Sequence, residues 1–386
     1  MLICINKIMK KLFWVAVLAL ILFEATNVYF IMPMPGSQEM NSLDLAYFLN
    51  KWRWGFRILF GLGIAIGWYK SNWKKAWIPF IPLVIAIAVI YLANFNMAAD
   101  HMFYQPSRVI FKDTSGNQVD SDRLVLGVVI NNVAKAYPIR FIGYHHQVLD
   151  TVGGKPILVT YCTVCRTGRI YEPMVNGKQE TFRLVGMDHF NAMLEDATTN
   201  SWWRQVTGEA IAGPLKGQQL PEIIGIQSSL SAWVNLYPHT QIMQADSTYI
   251  EEYGTSTNYE TGKSRKKLTG TDSLSWKPKS WVVGVLAYDH PKAYDWNRLK
   301  TERIINDQIK GTPVVLLMAK DTVGFFAFER PDTNARFTLN ENVLSLNHHH
   351  FTINGKGIDT TLNLKPLPAY QEFWHSWSYF HPYTEK

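Results

Sequence analysis

Cys162 and Cys165, in the run Cys162-Thr163-Val164-Cys165, carry the sharpest chemical signal in the sequence. Two thiols at this spacing can close a small disulfide loop or bind one metal ion through both sulfurs. As a redox pair, one cysteine attacks as thiolate and the other resolves, with Arg166 stabilising the charge. Such pairs usually open a helix whose dipole favours the thiolate, whereas Arg166 to Tyr171 reads as turn then strand. As a metal site the pair needs another ligand, and His145, in the upstream pair His145-His146, completes a Cys2His set. Adjacent histidines cannot readily both face one ion, so His146 is secondary, and Met187, His189 or Met193 are further donors. Sulfur with imidazole suits copper(I) or zinc. The plain alternative is a structural disulfide or two buried thiols. Cys4, near the N-terminus, reads as an isolated, inert thiol.

A second tract, Glu195 to Gly213, gathers Asp196, Ser201, Gln205 and Glu209 around Trp202 and Trp203. Such a mixture can line a polar cleft, though turn capping and surface is the favoured reading. The exposed aromatics among Trp202, Trp203 and Trp276 would suit a non-catalytic binding module for a glycan or protein, with a structural disulfide. His348-His349-His350 reads as a solvated loop rather than a metal site. No Gly-rich phosphate loop, serine nucleophile elbow or paired-histidine zinc helix occurs.

At 386 residues with 47% hydrophobic and 18% charged side chains, the chain can bury a substantial core. The net charge of +7 arises from an imbalance before residue 102, where nine Lys/Arg face four Asp/Glu. The nearly neutral remainder lacks the electrostatic footprint of a nucleic-acid binder. Three cysteines exclude a disulfide-dense scaffold and a four-cysteine zinc site.

The basic excess lies among apolar runs. Residues 12–32, 52–69 and 76–93 predict three transmembrane helices within a membrane region spanning 1–99. Trp52, Trp54, Trp68 and Tyr69 mark interfaces, and Arg57 is expected to reach the headgroups. Lys7, Lys10, Lys11, Lys70, Lys74 and Lys75 place the N-terminus and the second loop in the cytoplasm by the positive-inside rule. An odd number of crossings then puts the rest of the chain outside the cytoplasm, with the lipid bilayer as its partner.

Val125 to Tyr161 and Val282 to Met318 align without a gap at an offset of 157 residues. Val125, Gly127, Val128, Lys135, Ala136, Tyr137, Asp150, Gly154 and Pro156 recur as Val282, Gly284, Val285, Lys292, Ala293, Tyr294, Asp307, Gly311 and Pro313. The sequence therefore predicts an internally duplicated α+β protein, mainly antiparallel with short helices. Copy one occupies 100–245, a polar and solvated linker 246–280, and copy two 281–386. Each copy contains a hairpin, a short helix and further strands, and ends in a Trp-containing helix followed by proline. Recurring residues are weighted towards packing and turn geometry, whereas the cysteine pair, confined to copy one, is the better functional candidate.

The motifs Asp150-Thr151-Val152-Gly153-Gly154-Lys155-Pro156, Thr160 to Gly168 and Ser201 to Gly213 together resemble a prokaryotic family catalogued as domain of unknown function 3179. The resemblance covers about residues 102 to 386 and supplies no activity. Cys162, Cys165 and His145 match the family pattern. The chain departs from it at His146, in place of an acidic residue, at Leu149, in place of asparagine, and at Thr163 and Arg166, in place of proline and glycine. The membrane region is an addition to the common domain.

Overall fold

The structure is a computed structural model and describes residues 2–254 and 257–386; Thr255 and Ser256, within the expected linker, lie outside the described residues. The chain forms two compact units. One comprises the residues up to Tyr104 together with Phe182–Trp203 and Ala210–Gly217, and the other comprises Gln105–Thr181, Arg204–Glu209 and Gln218–Lys386. This differs from the expected single unit over 100–245. The hairpin of strands Phe182–Asp188 and Asn191–Asp196 bonds to the segment after the first helix: Met187 N donates to Ile31 O at 2.7 Å and Phe190 N to Gln38 Oε1 at 3.1 Å.

In the first unit, α1 (Leu2–Tyr29) contains the one helix among the described residues that is long and apolar enough to cross a membrane, Cys4–Tyr29. It stops short of Met32, because residues 30–33 form a turn. Next come α2 (Leu43–Lys51), α3 (Arg53–Tyr69) and α4 (Phe80–Tyr91), the last passing into a π-helical turn, Leu92–Asn96, and then α5 (Ala99–Met102). Pro79 precedes the first turn of α4, where its missing N–H costs nothing. A Cβ on Gly67 would lie 2.7 Å from Phe13 N, so glycine lets α3 close on α1. Arg57 does not reach outward as expected. Its guanidinium donates to both carboxylate oxygens of buried Glu24, at 2.7 and 2.9 Å, and to Asn94 Oδ1 at 2.6 Å, a closed polar network joining three helices.

The second unit is α+β with mainly antiparallel sheets. Strands Leu124–Ile130 and Val133–Pro138 form the expected hairpin, with Asn131 and Asn132 both in the left-handed region (φ 49° and 63°), as a two-residue primed turn requires. The helix α6 (Ile139–His145) follows Pro138, and strands Gln147–Val152, Lys155–Cys162 and Thr167–Tyr171 make the next sheet. The helix α7 (Leu230–Leu236) carries Trp233. The segment 246–280 is largely exposed or half-buried, as its composition suggested, but it also contributes buried side chains. It forms α8 (Ile250–Gly254) and α9 (Thr257–Glu260), and Tyr253 and Tyr259 are buried because they fill space beside His145 and Tyr161. Beyond it, strands Trp281–Ala287 and His290–Asp295 pair as a hairpin, followed by α10 (Trp296–Glu302), strands Ile304–Ile309, Thr312–Met318 and Phe325–Glu329, and finally α11 (Trp374–Phe380).

Several recurring residues occupy matched geometry. A Cβ on Gly127 would overlap the Trp233 ring, and one on Gly284 the Trp377 ring. Trp233 Nε1 donates to Thr240 Oγ1 at 2.8 Å, and Trp377 Nε1 to Thr384 Oγ1 at 2.8 Å. Lys135 and Tyr137 clasp Asp150 at 2.8 and 2.6 Å, whereas Lys292 and Tyr294 clasp Asp307 at 2.8 and 3.1 Å. His146 and Arg303 both end their helices in the left-handed region, at φ 63° and 60°.

Candidate functional site

The cysteines sit at the tip of a β-hairpin rather than at a helix start. Strands Lys155–Cys162 and Thr167–Tyr171 pair with Cys162 opposite Thr167, and residues 163–166 make the turn. Arg166 adopts φ 58°, so a bulky non-glycine residue occupies the turn's left-handed position. Its side chain holds the turn against other segments. It donates to Tyr259 O and Glu260 O, each at 2.8 Å, and to Gln371 Oε1 at 3.1 Å, and stacks over Trp281 with 3.7 Å to the ring centroid. Gln205 braces the hairpin from beneath, donating to Thr160 Oγ1 at 2.9 Å, while its carbonyl accepts from the Tyr171 hydroxyl at 2.8 Å.

Both cysteines are thiols and fully buried. Burial pushes the Cys165 thiol well above the ordinary range, and its hydrogen-bond contact with Cys162 pushes it further. Lys279 supplies the opposing cation. Burial pulls its ammonium down to about 8, against a smaller opposing pull from Cys165 and Cys162. Its Nζ donates to Val164 O at 3.0 Å and to Leu268 O at 2.6 Å, and lies 3.1 Å from His375 Nε2. His375 is held neutral, lowered to about 4 by burial and then by the neighbouring ammonium. On the other side, Ser376 hydrogen-bonds Cys165 and donates to Glu372 Oε1 at 2.6 Å. Glu372 is itself buried and raised by that burial, and Arg169 lies 3.4 Å from its other oxygen. Phe373 N donates to Cys165 O at 2.8 Å, which ties the turn to the last strand, Ala369–Phe373, and to α11.

His145 stands elsewhere in the same unit. Buried, it lies 2.6 Å by Nε2 from the Tyr253 hydroxyl and packs edge-on against Tyr144, Tyr249 and Tyr253. No group of three or more His, Cys, Asp or Glu among the described residues is arranged to hold a metal ion, so Cys162, Cys165 and His145 do not form one. His146 Nδ1 sits 2.9 Å from Tyr144 O, and burial lowers its imidazole to about 4.

Most of the remaining candidates fall in the first unit. Met187 and His189 lie on and beside its hairpin, with His189 Nδ1 2.7 Å from Asp188 Oδ1. Asp196 accepts from Thr199 N at 2.5 Å, Ser201 N at 3.0 Å and Trp203 Nε1 at 2.9 Å, and Ser201 Oγ accepts from Leu215 N at 3.1 Å. This is turn capping around buried tryptophans. Trp202 and Trp203 are fully buried and Trp276 is half-buried, so the first two offer no exposed aromatic surface. His349 and His350 open an exposed strand, His349–Thr352.

The part of the chain that carries the cysteine hairpin also decides its kinship. A family model described as "Protein of unknown function (DUF3179)" matches residues 105–384. The chain belongs to that family. Neither curated proteins nor solved structures yield a match. The DUF3179 match begins after the apolar N-terminal helix and covers both cysteines and every group placed around them.

Lys279, Glu372, His375 and Ser376 were not recognisable beforehand as site residues. Lys279 lies in a stretch of solvent-like composition, Glu372 just precedes the tryptophan helix α11, and His375 and Ser376 lie within it, far along the chain. A lysine after a tryptophan and a proline, in Trp276-Lys277-Pro278-Lys279, is a weak signal of a fixed position.

Proposed function

We propose that this DUF3179 member is a membrane-anchored protein whose second unit lies outside the cytoplasm and uses Cys162 and Cys165 as a dithiol–disulfide pair. The observation that carries the redox reading is the hydrogen-bond contact between the two buried sulfurs, with the Lys279 ammonium held on the same turn at Val164 O, 3.0 Å away. An ammonium at this position stabilises the thiolate that burial disfavours. In the oxidising direction, one cysteine as thiolate attacks a low-molecular-weight disulfide, and one thiolate leaves. The other cysteine then displaces the second thiol and closes the Cys162–Cys165 bond, so two electrons pass to the small disulfide.

A second reading rests on the same pair. Two thiolates can hold copper(I) between them, and Lys279 would offset the resulting negative charge. Zinc, which favours four ligands, is less suited to the pair, since no third His, Cys, Asp or Glu is grouped with it among the described residues.

The membrane part of the proposal treats α1, α3 and the apolar helix over Phe80–Asn96 as three crossings. Its support is the outward apolar surface of these helices, including Val15, Leu18, Leu22, Leu59, Leu62, Val84 and Ile87, around the sequestered Glu24–Arg57 pair. The matched glycine–tryptophan and lysine–aspartate geometries likewise support descent of the second unit from a duplication.

The test is a redox titration of the full chain in detergent, native and Cys162→Ser side by side, read by thiol alkylation and mass, with metal content measured on the same samples. Reversible interconversion of two thiols and one disulfide, lost in the variant, is the expected result. Thiols inert at every potential but loaded stoichiometrically with copper(I) would replace the redox reading with the metal one. Inert thiols without metal would remove both.

A further inference from the structure

The segment 261–280, within the second unit, holds six Lys/Arg against one acidic residue, Asp272. Lys263, Arg265, Lys266, Lys267 and Lys277 are exposed, and among the described residues no carboxylate pairs with any of these five. Asp272 accepts from Leu274 N at 2.9 Å rather than from a basic side chain. The excess of positive charge here is therefore real and uncompensated.

The run over 263–267 is not a free tether. Before it, Tyr259 O and Glu260 O each accept from the Arg166 guanidinium at 2.8 Å. After it, Leu268 O accepts from Lys279 Nζ at 2.6 Å, and the same ammonium donates to Val164 O at 3.0 Å. Arg166 and Val164 both belong to the turn that carries the two cysteines. Inside the run, Lys263 N donates to Asn258 O and Gly270 N to Lys266 O, each at 2.7 Å. A Cβ on Gly270 would stand 2.9 Å from Lys266 O, so this closure needs glycine. Lys263, Arg265, Lys266 and Lys267 are thus pinned to the cysteine turn from both ends. None is more than three residues from an anchored carbonyl, roughly 11 Å of fully extended chain. That is close to the ~10 Å screening length at 0.1 M salt, so the field of the run extends to the turn.

Such a field selects among small thiol partners. Unpaired cations beside the turn concentrate an anion there and repel a cation, and steering of this kind is worth about 10–10³ in encounter rate at low salt. We propose that the run over 263–267 makes the Cys162–Cys165 pair selective for anionic low-molecular-weight disulfides, those carrying carboxylates. The inference rests on the dithiol reading above. In the exchange, the S–S bond of the substrate breaks as the Cys162–Cys165 bond forms, two electrons pass from the cysteines to the substrate, and two small thiols leave with the two protons. The carboxylates take no part in the bond changes; they pair with the lysine and arginine side chains and hold the substrate beside the turn.

For the test, the reduced full chain in detergent is mixed with glutathione disulfide, which is net anionic, with neutral 2-hydroxyethyl disulfide or with cationic cystamine, and closure of Cys162–Cys165 is timed by alkylation and mass. At low salt, the rate ratio of glutathione disulfide to cystamine should be about tenfold or more higher in the native chain than in the Lys266→Glu/Lys267→Glu chain, and it should shrink as salt is raised. Lys263→Gln/Arg265→Gln, a milder change, should lower the ratio in the same direction and keeps the test decisive if the charge-reversed chain fails to fold. The neutral disulfide reports whether the pair exchanges at all. A ratio that is the same in the native and altered chains, or indifferent to salt, overturns the selectivity and leaves the dithiol reading standing. No closure with any of the three disulfides removes the dithiol reading and the proposal with it.

Discussion

The Lys279 ammonium donates to the carbonyl oxygen of Val164 at 3.0 Å and so fixes a cation on the backbone of the turn that carries both thiols. Burial lowers this ammonium to about 8 and raises the Cys165 thiol well above its ordinary range, so the cation is gone before the thiol ionises. Replacing Lys279 by Arg, which keeps its charge through that range, should lower the thiol titration by about one pH unit, a tenfold gain of thiolate at a given pH. Ultraviolet thiolate absorbance followed through an alkaline titration measures this, with Lys279→Met as the uncharged reference. An unshifted curve in Lys279→Arg would show that a cation at this position does not act on the sulfurs.

Arg169 and Glu372 are both buried, and each compensates the other. Arg169→Met leaves Glu372, and Glu222 at 3.6 Å on its other side, without their shared cation and should cost about 3–5 kcal/mol in urea unfolding. Adding Glu372→Gln should return a large part of that loss, because the stranded charge is gone. Additive costs in the double variant would mean the two side chains are not coupled.

Gly127 and Gly284 each lie against a tryptophan ring with no room for a Cβ. Gly127→Ala and Gly284→Ala should each destabilise by about 1–3 kcal/mol from overpacking alone. In a Trp233→Leu background, Gly127→Ala should cost distinctly less, since the ring that excludes the methyl is absent. Equilibrium denaturation of the four chains gives the coupling energy directly.

His146 is lowered to about 4 by burial, against an ordinary value near 6.5. The unfolded chain therefore takes up a proton that the folded chain refuses as pH falls from about 6.5 towards 4, and stability drops through that window by up to roughly 3 kcal/mol. His146→Asn, which tolerates the left-handed backbone at φ 63°, should lose this component. Glu260 is raised to about 7 by burial and acts in the opposite sense between about 4.5 and 7. The native-minus-variant difference in unfolding free energy at neutral and acid pH isolates the histidine, and a difference independent of pH would reject the assignment.

Local chemistry was legible where one residue decides the backbone. Asn131-Asn132 marks a primed hairpin turn, Pro138 a helix start, and Arg166-Thr167-Gly168 the return to strand after the cysteines, all as found. The recurring glycines could be weighted towards packing, although their tryptophan partners only emerge when α7 and α11 fold back over the hairpins. The surroundings of the cysteines were not legible. Lys279, Glu372, His375 and Ser376 reach the turn through tertiary packing, which no period or spacing encodes, and polar composition disguised the buried tyrosines of 246–280 as solvated. Closeness in sequence was a poor guide for the same reason: α6 delivers His145 to Tyr253, and the distant His375 lies 3.2 Å from Val164 O.

Because the amide of Phe373 closes over the carbonyl of Cys165, lifting of the strand Ala369–Phe373 together with α11 is one opening that would bare the buried sulfurs to a reagent. When such openings close again faster than the reagent reacts, the labelling rate is proportional to the population of the lifted state. The two sulfurs are then a native-state gauge of local opening at the far end of the chain. A ligand or partner that clamps α11 would slow labelling without touching a cysteine, and one that pries it loose would speed labelling while global unfolding stayed unchanged.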